Sequence, residues 1–149
     1  MFLRMLCTLG PIGFLPGGGS WAALVTLLVA RALGFFSVSL LYQLIIIALI
    51  FGCAWYSITY TRDQFAGPDP CEIVIDEALA VLMVFLGISI TSARLVCGLA
   101  LFRLLDIYKP GIIHRAEHLP YTWGIMADDV VAAGISWLVL FLACFLGWL

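Results

Sequence analysis

The sequence predicts an all-α fold: a polytopic integral membrane bundle of about five hydrophobic helices, forming a single domain over residues 1–149. Two observations carry that expectation. First, 64% of the residues are apolar and only 11% are charged, against about 45–50% and 25% in a soluble domain. Seven basic and nine acidic side chains are too few to cover a core of this size, so apolar surface must face lipid. Second, apolar runs of helical length alternate with short polar or Gly/Pro-rich breaks. A crossing takes about 20 residues, which limits the chain to about five or six spans. The net charge of −2 gives no reason to expect a nucleic-acid partner.

The first residues hold Arg4 and an apolar stretch broken by Gly10, Pro11, Gly13 and Pro16, unlike a secretory signal, so this segment is expected to be retained. Residues 10–20 read as a Gly/Pro loop, with Ser20 as N-cap of a first helix over 21–33, a short one that need only partly cross. Gly34 breaks it. Residues 38–60 form an uncharged apolar run, the clearest span in the chain. A polar linker with Asp63 and Asp69 leads to Pro70, after which Glu72, Asp76 and Glu77 open a third segment reaching about Ile90. Residues 91–94 read as a polar turn, and a fourth segment from Leu95 passes Asp106 and stops at Lys109-Pro110. Residues 111–124 are the longest polar loop. The last helix, 125–149, is entered through Asp128 and Asp129. Five cysteines include no C-x-x-C pair, and Cys53, Cys97 and Cys144 lie inside apolar runs, so no disulfide framework is expected.

A cytoplasmic N-terminus puts Arg4, Arg62, Arg103, Lys109 and Arg115 on one side and leaves Arg31 and Arg94 on the other, as the positive-inside rule favours. Five crossings then gather residues 10–20, 72–77, 103–117 and 128–129 at one face, although they are scattered along the chain.

Ionisable groups at the edge of hydrocarbon are costly unless paired, metal-bound or wet. A single acidic pair at a helix start needs only the macrodipole to explain it. Two pairs, Asp76-Glu77 and Asp128-Asp129, with Glu72 and Asp106 on the same face, predict a hard-oxygen site suited to Mg2+ rather than zinc. Arg103, Asp106 and Lys109 recur at spacing three, a pattern for a cationic phosphate clamp in which Asp106 holds Arg103. Gly17-Gly18-Gly19-Ser20 ahead of a helix offers backbone N–H groups to an anion. His114 and His118 read as loop residues rather than ligands. Cys97 and Arg103 have the spacing of a cysteine-phosphatase loop, but a helical stretch leaves no free N–H groups around the thiolate.

Two other classes compete. A small cation or proton transporter would spread its acids across membrane depth, whereas these helix interiors are nearly uncharged. A CDP-alcohol phosphotransferase would need Asp-Gly ahead of Ala-Arg, and Ala93-Arg94 lacks that context.

The segments Ile73-Val-Ile-Asp76-Glu77, Phe102-Arg103-Leu-Leu-Asp106-Ile-Tyr-Lys109-Pro110 and Gly124-Ile-Met126-Ala-Asp128-Asp129 closely resemble, in order and spacing, the phosphatidylglycerophosphatase A family. The Gly-rich loop before Trp21 extends the resemblance over nearly the whole chain. It implies a magnesium-dependent enzyme of the bacterial inner (cytoplasmic) membrane, with its site on the cytoplasmic face, that converts the lipid phosphatidylglycerophosphate to phosphatidylglycerol and phosphate. Carried over by motif, Asp76, Glu77, Asp106, Lys109, Asp128 and Asp129 are the functional positions, with Arg103 beside them. Together with the residue reading, this makes Asp76, Glu77, Asp128 and Asp129 the expected metal ligands and Arg103, Lys109 and Ser20 the expected phosphate binders. A diverged lipid-phosphate enzyme is the nearest alternative. A homo-oligomer is compatible with the sequence but not specified by it. The pattern departs from the family at Gly18, Ala80, Ile112, Ala133 and Tyr121-Thr122, the last standing where a glycine pair is usual.

Overall fold

The computed structural model describes residues 1–65 and 70–149, so the expected acidic position Asp69 lies outside the described residues. Among these, seven α-helices and three short 3-10 turns form the whole regular structure, with no strand. The helices are α1 (Phe2–Cys7), α2 (Gly18–Ala32), α3 (Leu40–Thr61), α4 (Ile75–Val84), α5 (Ser92–Tyr108), α6 (Ile112–Glu117) and α7 (Thr122–Phe145).

Two of them, α3 and α7, are long and apolar enough to cross a membrane. In α3 the most apolar stretch is only 22% buried within the protein. A soluble core helix would hide that stretch; here Leu41, Leu44, Ile45 and Leu49 project outward. With no water-tolerant face to offer, they fit a membrane-associated protein.

The hub is α4. Eight of its ten residues are buried, and it is apolar nearly all round, as a helix must be when neighbours cover every side. It packs on α2, α3, α5 and α7. Ala80 and Ala133, both fully buried, lie in the core formed by α4 and α7 with Val81, Val84, Phe85, Phe102 and Leu140. Gly98 lets α5 approach: a Cβ there would come within 2.6 Å of the Phe85 ring.

Several boundaries differ from the sequence expectation. The helix expected over 21–33 is α2 and begins at Gly18, capped by Gly17 at φ 70°, so Ser20 sits in the first turn instead of capping it. The segment expected to reach about Ile90 is α4, which stops at Val84 after about 15 Å of helix, and residues 85–91 continue without helix. The apolar run persists there, but Gly87 at φ 68° turns the chain, and side chains replace the helical bonds. Gln43 Oε1 accepts from the Gly87 N–H at 2.9 Å, and Trp137 Nε1–H donates to the Leu86 carbonyl at 2.9 Å. The expected polar turn at 91–94 is the start of α5, with Thr91 Oγ1 accepting from the Arg94 N–H at 3.2 Å. The polar loop contains α6, held because Ile113 and Ala116 bury one face against α7. Helix α7 starts at Thr122, placing Asp128 and Asp129 beyond its first turn.

Cross-links show which helix ends meet. At one end, Thr59 and Thr122 hydroxyls lie 3.0 Å apart, and Lys109 reaches Asp128. At the other, Gly87 meets Gln43 in the first turn of α3, and Arg94 Nη2 donates to the Leu149 carbonyl at 2.9 Å.

Candidate functional site

At the first of these ends lies a cavity of about 640 Å³. Its walls are the Gly13–Gly19 turn, residues 70–73, and the side chains of Asp76, Glu77, Arg103, Asp106, Lys109, Asp128 and Asp129. Four helices therefore contribute: α2 by its N-terminus, α4 by its first turn, α5 by its last turns and α7 from within.

The acidic first turn of α4 suits the partial positive charge of a helix N-terminus. Asp76 is buried, and its Oδ1 accepts from the Glu77 N–H at 3.1 Å. Glu77 reaches across to α2, where a Cβ on Gly19 would overlap its Oε1. Glu77 Oε2 is buried, and no described donor reaches it. On α7, Asp128 and Asp129 are both buried and turned to different neighbours. Oxygens of Asp76, Glu77 and Asp129 lie within 4.8 Å of one another, as do oxygens of Asp106, Asp128 and Asp129, so Asp129 belongs to both sets.

The cations are fixed by carboxylates. Arg103 Nη1 donates to Asp106 Oδ2 at 2.6 Å, one helical turn away. Lys109 Nζ donates to Asp128 Oδ2 at 2.7 Å and to Glu117 Oε1 at 3.0 Å. Lys109 caps α5 in the left-handed region, φ 42° and ψ 57°, because the following Pro110 disfavours a helical residue before it. That conformation costs about 1 kcal/mol, offset by the two ion pairs. Burial alone would pull the Lys109 pKa down, but the two carboxylates outweigh it and hold it above its ordinary value. The hydrogen bond from Lys109 pulls Glu117 below the usual carboxylate range, against a smaller opposing effect of burial.

Six acidic residues, Glu72 among them, thus line one cavity with two cations. The two carboxylate sets in this cavity offer only oxygens, and the free Glu77 oxygen has no other described partner. That donor set fits a hard divalent ion such as Mg2+.

The structure brings together every site residue expected from the sequence except Ser20, which is exposed and outside the cavity lining. Because the helix starts three residues earlier, Gly18 and Gly19 line the wall in its place. Tyr121-Thr122, the departure from the usual glycine pair, also lie outside that lining: Tyr121 edges a second recess, and Thr122 bonds to Thr59. Glu117 as partner of Lys109, and Gly13, whose Cβ would overlap the Glu72 carbonyl, were not signalled by the sequence. Their contacts are long-range and leave no periodic mark.

An all-helical protein with apolar outer faces and one polar cavity of carboxylates, arginine and lysine fits a membrane-associated phosphatase. A family model described as Phosphatidylglycerophosphatase A matches residues 5–144. Among curated proteins, Phosphatidylglycerophosphatase A of Haemophilus influenzae is 33% identical over 129 residues, 85% of this chain and 78% of that protein. A Bacteroides thetaiotaomicron protein titled "Putative phosphatidylinositol-3-phosphatase" is 31% identical over 80 residues, 52% of this chain and 50% of that one. No solved structure matches. The chain belongs to the phosphatidylglycerophosphatase A family, and by that membership it is a phosphatase of phospholipid metabolism.

Proposed function

We propose that the protein hydrolyses the phosphomonoester of phosphatidylglycerophosphate in a magnesium-dependent reaction, yielding phosphatidylglycerol and inorganic phosphate. The observation that carries this reading is the convergence of Asp76, Glu77, Asp106, Asp128 and Asp129 with Arg103 and Lys109 in one cavity. Asp76, Glu77, Asp128 and Asp129 would hold the metal. When bound, magnesium supplies neutralisation of phosphate charge and polarisation of the reacting phosphoryl group. Arg103 and Lys109 bind the phosphate oxygens, Asp106 orients Arg103, and Glu117 with Asp128 aims the Lys109 ammonium into the cavity. In-line attack by water, or by one of the carboxylates with later hydrolysis, places the same demand on these groups: charge opposite the transferring phosphoryl oxygens.

The same reading makes α2, α3, α4 with residues 85–91, α5 and α7 five consecutive crossings of the bacterial inner membrane, with the cavity on the cytoplasmic side. The alternation of helix ends and the side of Arg4, Arg62, Arg103, Lys109 and Arg115 support it. The acids are confined to one end, which disfavours a transport pathway.

Protein purified in detergent is expected to release phosphate and phosphatidylglycerol one for one from phosphatidylglycerophosphate with Mg2+, and to stop with chelator. Equal release with chelator contradicts the metal assignment. Release from phosphatidylinositol 3-phosphate but not from phosphatidylglycerophosphate would contradict the substrate.

A further inference from the structure

A recess of about 330 Å³ adjoins the acidic cavity and shares Ile125 with it. Its wall includes the last turn of α6, where His114, Glu117 and His118 meet. We propose that these three side chains form a second cation site, for Zn2+ or a similar transition ion, separate from the carboxylate site and coupled to it through Glu117.

One ligand atom from each residue lies within 4.8 Å of the others. A tetrahedral zinc with bonds near 2.0–2.1 Å needs ligand atoms about 3.4 Å apart. The gap closes by side-chain rotation, since the His114 side chain is 63% exposed. His114 and His118 are one helical turn apart with ring centroids at 4.5 Å. His118 Nδ1 lies 2.8 Å from the His114 carbonyl, which can only accept, so Nδ1 carries the proton and Nε2 keeps its lone pair. His114 Nδ1 is 3.5 Å from Glu117 Oε2. The spacing His-x-x-Glu-His is one that zinc enzymes use on helices. Imidazole nitrogens favour a transition ion over magnesium, whereas the neighbouring cavity offers oxygens.

Coupling follows from the two oxygens of Glu117. Oε1 holds Lys109, which in turn holds Asp128, while Oε2 faces His114. A cation on Oε2 draws charge from Glu117 and loosens its grip on Lys109. On the phosphatase reading, on which this coupling rests, the effect is a higher KM for the lipid phosphate.

The full chain in detergent, with excess Mg2+ to occupy the carboxylates, is titrated with Co2+ and read by visible absorption. The expected result is saturation at about one Co2+ per chain, displaced by Zn2+, as a three-ligand open site requires. The His114→Ala/His118→Ala variant should lose that signal and keep magnesium-dependent phosphate release, and Zn2+ should raise KM only in the unsubstituted protein. An absent signal, or an equal one from the variant, overturns the site. An equal Zn2+ effect on both proteins overturns the coupling. The absorption needs no turnover, so it decides the site even if the phosphatase reading fails.

Discussion

Gly19 shows how a single residue shapes the cavity. Its backbone is helical, so alanine would be tolerated by α2 and even favoured by propensity. Yet a Cβ would occupy the place of Glu77 Oε1, the end of a flexible side chain that moves at little folding cost. Gly19→Ala should therefore leave the thermal midpoint nearly unchanged and reduce phosphate release about tenfold or more, the scale of disturbing a ligand's surroundings. Unchanged release would detach Glu77 from the chemistry. Tyr121 is the reverse case. It is exposed and sits at φ 57°, ψ −140°, a region suited to glycine, at the position where the family pattern carries a glycine pair. Its ring lies 6.0 Å from the Arg62 guanidinium, a contact too long to offset much strain. Tyr121→Gly is expected to stabilise the protein by about 1 kcal/mol, read as a higher midpoint of unfolding; a lower midpoint would show that the strain is not there. The acidic pairs were legible in the sequence because charges are scarce in so apolar a chain. Neither the Gly19 contact nor the Lys109–Glu117 pair was, because each joins segments whose approach only the fold decides.

At the scale of elements, hydropathy gave the long helices α3 and α7 and misjudged the length of α4. An apolar run of residues 73–90 looks the same whether helical or not, and here Gln43 and Trp137 satisfy the backbone after Val84. Helix α6 was hidden for the opposite reason: only Ile113 and Ala116 of its six residues are buried, too little apolar periodicity to register. The packing of α5 depends on Gly98, where an added methyl group meets the rigid Phe85 ring and Leu140. Gly98→Ala should destabilise the bundle by about 1–3 kcal/mol through overpacking, measured by unfolding in detergent. A neutral effect would mean that Phe85 and Leu140 can yield.

At the scale of the molecule, four helices carry the polar groups to one cavity and leave apolar faces around the rest. The topology proposed above makes residue 37, between α2 and α3, periplasmic and residue 63, after α3, cytoplasmic. In a cysteine-free background on intact cells, an impermeant thiol reagent should label Ser37→Cys and spare Asp63→Cys; the opposite pattern would invert the orientation. The convergence of α4, α5 and α7 brings five of the nine acidic residues into a single cavity, where Glu72 makes a sixth.

Asp129 belongs to both carboxylate sets and so joins the two halves of the cavity. The most direct test is phosphate release from phosphatidylglycerophosphate by Asp129→Asn beside the unsubstituted protein, both shown to be folded. Loss of about 100-fold or more is predicted, the scale of removing one charge-stabilising group from a preorganised site. Near-normal, metal-dependent release by Asp129→Asn would contradict the proposal that this cavity is where the phosphate ester is cleaved.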